Sequence, residues 1–223
     1  VKKIRPDHCP KSEEELIEQC HRIEGLSLSQ LAAGLGLVIP GEQTRRKGWT
    51  GLAIELALGA TAGSKSIPDF CHLGIELKTI PLNKQGNPAE STFVTSIPLL
   101  TVHRQQWLTS QCCQKLRRVL WIPVEGDKMI PFEHRRIGRA MLWSPTTEQE
   151  TILSKDWEEL TTMISTGQLE EINAAMGDYL QVRPKAANTQ SLCYGFDSEG
   201  NKILTLPRGF YLRACFTKQL LGC

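Results

Sequence analysis

The chain has 223 residues, 40% of them hydrophobic and 22% charged, with a formal net charge of +2 at pH 7. These values suit a globular protein with one good-sized core, folded as one domain or as two closely joined lobes. The net charge is too small to announce a nucleic-acid partner, and no apolar run approaches the roughly 20 residues that cross a bilayer. Val1, Lys2, Lys3, Ile4 and Arg5 lead into no apolar stretch, so no signal peptide is visible and a cytoplasmic protein is expected. Eight cysteines are present, none in a C-x-x-C pair. They read as reduced thiols, since a structural zinc site needs clustered Cys and His ligands and the five histidines are scattered.

The distribution of charge says more than its sum. Between Val102 and Arg139 there are eight Lys/Arg against three acids, and from Arg183 onward six against two. The acids collect near residues 13–24 and 148–171. Such segregation can offer a basic surface to phosphates while the whole stays nearly neutral, although solvated helix faces would give the same pattern.

Taken in chain order, Ser12-Glu13-Glu14-Glu15 forms a capping-box sequence, and Leu16, Ile17, Cys20 and Ile23 follow at helical spacing up to Gly25. A second helix is expected from Ser27 or Ser29, broken by Gly36 and Pro40. Lys47-Gly48-Trp49 leads into a third, Trp49 to Leu58, stopped by Gly59. Its Leu52, Ala53, Leu56 and Ala57 suggest burial, with Glu55 in the middle. Leu73 to Ile80 alternates and reads as a strand, and Ser91 to Thr101 and Arg118 to Val124 read as two more. Pro145 opens a long amphipathic helix through Trp157, Leu160 and Ile164, ending at Gly167. Another helix is expected over Leu169 to Met176, then short strands at Ile203–Leu206 and Phe210–Leu212. This order favours a mixed sheet with helices on both sides.

The stretch from Pro68-Asp69 to Glu76-Leu77-Lys78 carries the chemistry. On a strand, Ile75 and Leu77 face one way and Glu76 and Lys78 the other, and a short loop containing Gly74 can bring Asp69 beside Glu76. Two converging carboxylates suit a hard cation such as Mg²⁺, which phosphodiester hydrolysis can use. Lys78 beside them is expected to remain an ammonium that stabilises charge and orients water, rather than a base. Taken alone, E-x-K on a strand is better explained by a half-exposed strand with a surface ion pair. Glu55, a carboxylate on a buried helix, adds weight because such a group needs a partner or a metal.

These residues resemble the PD-(D/E)xK nuclease superfamily of type II restriction enzymes. More closely, the chain resembles the MutH family of methyl-directed mismatch repair. The likeness runs through Lys47-Gly48-Trp49, Gly63-Ser64-Lys65, Pro68-Asp69 through Gly74-Ile75-Glu76-Leu77-Lys78-Thr79-Ile80-Pro81, Arg118-Val119-Leu120-Trp121-Ile122-Pro123-Val124-Glu125-Gly126, Leu142-Trp143-Ser144-Pro145, Asp156-Trp157-Glu158-Glu159-Leu160, Arg183-Pro184-Lys185-Ala186-Ala187-Asn188 and Leu204 to Leu212. It implies a restriction-endonuclease-like α/β fold: a mixed central sheet flanked by helices, with residues 1–223 a single endonuclease domain of two lobes around a DNA-binding cleft. It implies nicking of the unmethylated strand at hemimethylated GATC sites by a monomer. The cofactor would be Mg²⁺, with Mn²⁺ or Ca²⁺ able to replace it in binding, and the activator would be MutL acting downstream of MutS. Glu55 would join Asp69 and Glu76 as a metal ligand, and Lys115 would be a second catalytic cation. DNA contacts would fall to Lys47, Phe93, Arg183, Pro184, Lys185 and Tyr211.

Read directly, Arg183-Pro184-Lys185 is a stiff basic loop able to enter a groove, and an exposed turn would look the same. Phe93 and Tyr211 lie in strand-like stretches where aromatics usually pack in a core. The resemblance makes base contact plausible for both, with Tyr211 the candidate sensor of adenine methylation. A restriction enzyme cutting both strands would normally need two active sites, whereas one triad and no internal repeat are found. A DNA-binding module with a dead nuclease site is opposed by the intact acids and lysines.

Overall fold

The computed structural model describes residues 4–42, 46, 48–63, 67–185 and 190–222. In chain order the main elements are α1 (Glu13–Ile23), α2 (Leu28–Leu35), α3 (Trp49–Leu58), β1 (Glu76–Leu82), β2 (Thr92–Ser96), α4 (Gln111–Leu116), β3 (Val119–Glu125), β4 (Met141–Trp143), α5 (Thr147–Ser165), β5 (Leu180–Pro184), β6 (Cys193–Phe196), β7 (Lys202–Thr205), β8 (Arg208–Leu212) and α6 (Ala214–Leu221). They divide into two compact units. The first holds Val1–Ala89 and Arg117–Ser144, the second Glu90–Leu116 and Pro145–Gly222.

In the first unit the helix starts follow local side-chain chemistry. Ser12 caps α1 by accepting from Glu15 N at 3.2 Å. The box is only half made, because the Glu15 carboxylate accepts from Lys11 N at 2.7 Å instead. At α2 the box is complete: Ser27 accepts from Gln30 N, and the Gln30 side chain accepts from Ser27 N, which fixes the start at Ser27. α3 spans the residues expected of it and ends at Gly59, φ 75°. Its buried side is Ala53, Ile54, Ala57 and Leu58, while Leu52, expected inside, is 54% exposed.

β1 and β3 are parallel, and β4 is antiparallel to β3, giving a mixed sheet of order β1-β3-β4. Leu77, Leu120, Ile122 and Val124 on one sheet face join Leu16, Ile23, Leu31, Ile54, Leu58 and Phe70 in the core of this unit. β1 begins three residues later than the alternation suggests. Cys71–Gly74 instead forms a tight turn, with Leu73 N donating to Phe70 O and Gly74 N to Cys71 O. Gly74 sits there at φ +66°, which a side chain would strain.

In the second unit β8 is the middle strand of an antiparallel sheet, order β2-β8-β5, and β6-β7 form a separate hairpin. Val94, Leu180, Val182, Phe210 and Leu212 are buried. α5 is capped by Thr146 through a full box with Gln149 and buries Leu153, Asp156, Trp157, Leu160 and Ile164. The helix expected over Leu169 to Met176 is absent, and turns take its place. The groups a helix would use are engaged elsewhere. The Arg213 guanidinium donates to Ala174 O and Ala175 O, and the Asn173 side chain accepts from Ala175 N. The strand expected to reach Thr101 stops at Ser96, two residues before Pro98, which has no N–H to donate.

The α/β class is thus as read, and the mixed pairing is found in β1-β3-β4. The strands do not form one central sheet: among the described residues they lie in two three-stranded sheets and a hairpin. No described helix is long and apolar enough to cross a membrane.

Candidate functional site

At the head of β1 three of the expected residues come together. The Asp69 main chain is pinned by Thr61 N and Ala62 N, both of which donate to its carbonyl. Phe70 and Ile75 exchange backbone hydrogen bonds across the Cys71–Gly74 turn. This closure folds Asp69 back onto the strand, where its Oδ2 accepts from Leu77 N at 2.8 Å. Its carboxylate therefore lies against the backbone link that follows Glu76. Glu76 is 2% exposed, and the Lys78 Nζ donates to its Oε1 at 2.6 Å. A charge-assisted bond of this length in a buried setting fixes both side chains. The alternation reading holds: Leu77 faces the core, while Glu76 and Lys78 leave the opposite face of β1.

Glu55 is half-buried on α3, which packs against β1. Its Oε1 lies 4.0 Å, and the Thr79 Oγ1 3.9 Å, from where a Cβ on Gly51 would stand. Among the described residues no three His, Cys, Asp or Glu side chains form a group able to hold a metal ion. Asp69 and Glu76 still fit Mg²⁺ by donor type, since that ion is commonly bound through one or two carboxylates, with water and substrate phosphate completing the shell. Thr79 and the Thr61–Ala62 backbone were not singled out from sequence. Their roles depend on packing that no local pattern reveals.

The remaining expected residues, Lys47 apart, lie in the second unit. Lys115 is half-buried in the last turn of α4. Lys47 falls outside the described residues. Arg183 and Pro184 end β5, with Lys185 just beyond, so this basic stretch is the end of a strand rather than a loop. Pairing with β8 groups the others. Phe93 and Gln181 both oppose Tyr211, and Arg183 opposes Gly209, so these side chains share one face of β2-β8-β5. The Phe93 and Tyr211 rings meet edge to face at 5.3 Å between centroids. The Lys185 Nζ lies 3.2 Å from the Phe93 ring centroid, and the Arg183 guanidinium carbon 5.9 Å from that of Tyr211. Burial pushes the Tyr211 phenol pKa up, Arg183 partly counters it and Glu90 adds to it, so the phenol is an O–H donor at neutral pH. Arg183, Pro184 and Lys185 are exposed. The face is therefore an aromatic pair flanked by accessible cations, a combination suited to a polyanion with stackable bases.

Gly209 and Gln181 belong to this face and were missed in the sequence. A Cβ at Gly209 would come within 2.8 Å of Phe93 Cε2 and 3.1 Å of Thr95 O, so glycine makes room for the Phe93 ring. The Gln181 Nε2 donates to Ser91 Oγ at 2.7 Å. In sequence, Gly209 lies in Pro207-Arg208-Gly209, the link between the two short strands expected there, which gives no sign of its packing role.

A family model for the DNA mismatch repair enzyme MutH matches residues 58–156, a span that includes Asp69, Glu76 and Lys78. The DNA mismatch repair protein MutH of Pasteurella multocida (strain Pm70) is 50% identical over 212 residues, covering 95% of this chain and 96% of its own. The DNA mismatch repair protein MutH of Escherichia coli (strain K12) is 51% identical over 213 residues, covering 96% and 93%. Identity at this level along nearly the full length of both relatives places the chain in the MutH family of DNA mismatch repair enzymes.

Proposed function

We propose that the chain is a Mg²⁺-dependent endonuclease that nicks the unmethylated strand at hemimethylated GATC sites. It would act as a monomer, with MutL as activator downstream of MutS. One observation carries the reading: Asp69, Glu76 and Lys78 converge at the head of β1 in a chain half identical to MutH proteins. The presence of one such triad favours a nick over a double-strand cut.

Asp69 and Glu76 would hold the metal, with Glu55 approaching as a third carboxylate. When bound, Mg²⁺ supplies Lewis-acid polarisation of the phosphate. Lys78, which donates to Glu76, directs a positive charge to where negative charge develops on the phosphate oxygens and orients the attacking water. Lys115 would supply a second cation near the scissile phosphate. Lys47, Arg183 and Lys185 would engage the DNA, Arg183 being able to read a guanine through two hydrogen bonds. Phe93, Pro184 and Tyr211 would contact bases, with Tyr211 testing the adenine N6 position.

The test is a nicking assay on hemimethylated, unmethylated and fully methylated GATC duplexes in Mg²⁺, with and without MutL. Nicks should appear only on unmethylated strands and increase with MutL. Asp69→Ala should abolish cleavage while binding of the duplex, measured separately, persists. Equal cleavage of methylated and unmethylated strands would overturn the reading.

A further inference from the structure

From the packing of α5 against the start of β5 we infer that Asp156 is a positioning residue for DNA recognition. Its buried carboxylate fixes the register that puts Arg183 on the face of Phe93 and Tyr211. This rests on the proposed reading of the chain as a GATC-specific nuclease.

Asp156 lies within α5 and is 1% exposed. A buried carboxylate is costly unless it is fully hydrogen-bonded. Here it accepts from three successive backbone N–H groups: Asp178 at 2.9 and 3.0 Å, Tyr179 at 2.7 Å and Leu180 at 2.8 Å. Such a run of N–H groups forms a backbone nest for an anion, and the protein fills it with its own side chain. Gly177 allows the turn to close. It has φ +82°, and a Cβ there would stand 3.4 Å from Asp156 Cγ and collide with Leu180 O. No other residue type fits the position without moving the nest.

The anchored residues lead directly into β5. Leu180 opposes Leu212, Gln181 opposes Tyr211 and Arg183 opposes Gly209. β5 has five residues and, among the described residues, pairs only with β8; burial of Leu180 and Val182 sets which face turns inward, and the Asp156 nest sets where the strand enters. A slip of one residue would turn every side chain to the opposite face. Arg183 would leave the aromatic pair, and Val182 would take its place. Asp156 touches no DNA in this account. It acts through the backbone of Asp178, Tyr179 and Leu180.

Asp156→Asn tests this in the full-length chain. The change keeps the shape but places an amide donor against the nest. We expect a folded variant whose Kd for a hemimethylated GATC duplex, measured in Ca²⁺, rises at least about tenfold. Binding to a duplex lacking GATC should change much less. In Mg²⁺ the KM should rise while kcat at saturating DNA stays within about threefold, a split that general destabilisation would not produce. Asp156→Asn should add little once Arg183→Ala is present, because the two act through one contact. If Asp156→Asn fails to fold, Asp156→Ser, which keeps one acceptor in the nest, replaces it with the same expectations. An unchanged GATC affinity in a folded variant, or full additivity with Arg183→Ala, overturns the inference and leaves the nuclease reading intact. Failure of the unmodified chain to prefer GATC duplexes would instead remove the reading beneath it.

Discussion

Lys78 is the residue whose role the geometry constrains most closely. Its ammonium donates to a carboxylate that is almost wholly buried. Replacing Lys78 with Met would remove this donor from the buried Glu76 carboxylate, and breaking a buried pair typically costs about 3–5 kcal/mol. Mg²⁺ at the same carboxylates should return part of that loss. Thermal unfolding of Lys78→Met should therefore show a lower Tm than the unmodified chain in chelator and a smaller deficit in Mg²⁺. Nicking should fall by about a hundredfold or more, the usual cost of removing one charge-stabilising donor. Lys78→Arg keeps the charge and should nick at a near-normal rate. A Lys78→Arg variant as inactive as Lys78→Met, though folded, would show that the ammonium's charge is not what matters.

At the scale of elements, the sheet β2-β8-β5 depends on a missing side chain. Gly209 lets the Phe93 ring lie across β8, beside an irregularity in the β2 register between Phe93 and Thr95. Gly209→Ala should force the ring or the Thr95 backbone to move, an overpacking cost of about 1–3 kcal/mol. The Tm should fall accordingly, and preference for GATC over unrelated duplex should narrow as Phe93 leaves Tyr211. If the Tm falls but the preference holds, Phe93 is a packing residue only. The same elements mark how far sequence patterns reach. α1, α2, α3 and β1 were legible because caps, glycine stops and alternation are local. β4, β5 and β6, of three to five residues, are too short for periodicity to register. The expected helix over 169–176 failed because Arg213 and Asp156, distant in sequence, claim the backbone around it. The site divides in the same way. Asp69, Glu76 and Lys78 were readable from spacing along one loop and strand. The placement of Glu55 depends on how α3 packs against β1. The grouping of Phe93 with Tyr211 depends on pairing between strands more than a hundred residues apart, and that of Arg183 on the pairing of β5 with β8.

For the whole molecule the question is how a chain with a net charge of only +2 can hold a polyanion. Long-range attraction by the total charge is weak and is screened within about 8 Å at physiological salt. Affinity must then come from individual cations at the phosphates, each displacing condensed counterions from the duplex. With Lys47, Lys115 and Lys185 as the proposed phosphate contacts, log Kobs should fall with log salt at a slope of roughly −3. Net charge does not enter this figure; the count of contacting cations does. Lys185→Ala should make the slope shallower by about one and weaken GATC and unrelated duplexes alike. Arg183→Ala, if Arg183 reads a base, should cost more on GATC than on unrelated duplex, by about 1–3 kcal/mol. Fluorescence anisotropy titrations of both variants from 50 to 200 mM salt, in Ca²⁺ to prevent cleavage, separate these roles. A Lys185→Ala slope equal to that of the unmodified chain would remove Lys185 from the phosphate contacts and leave its place over the Phe93 ring as its main function.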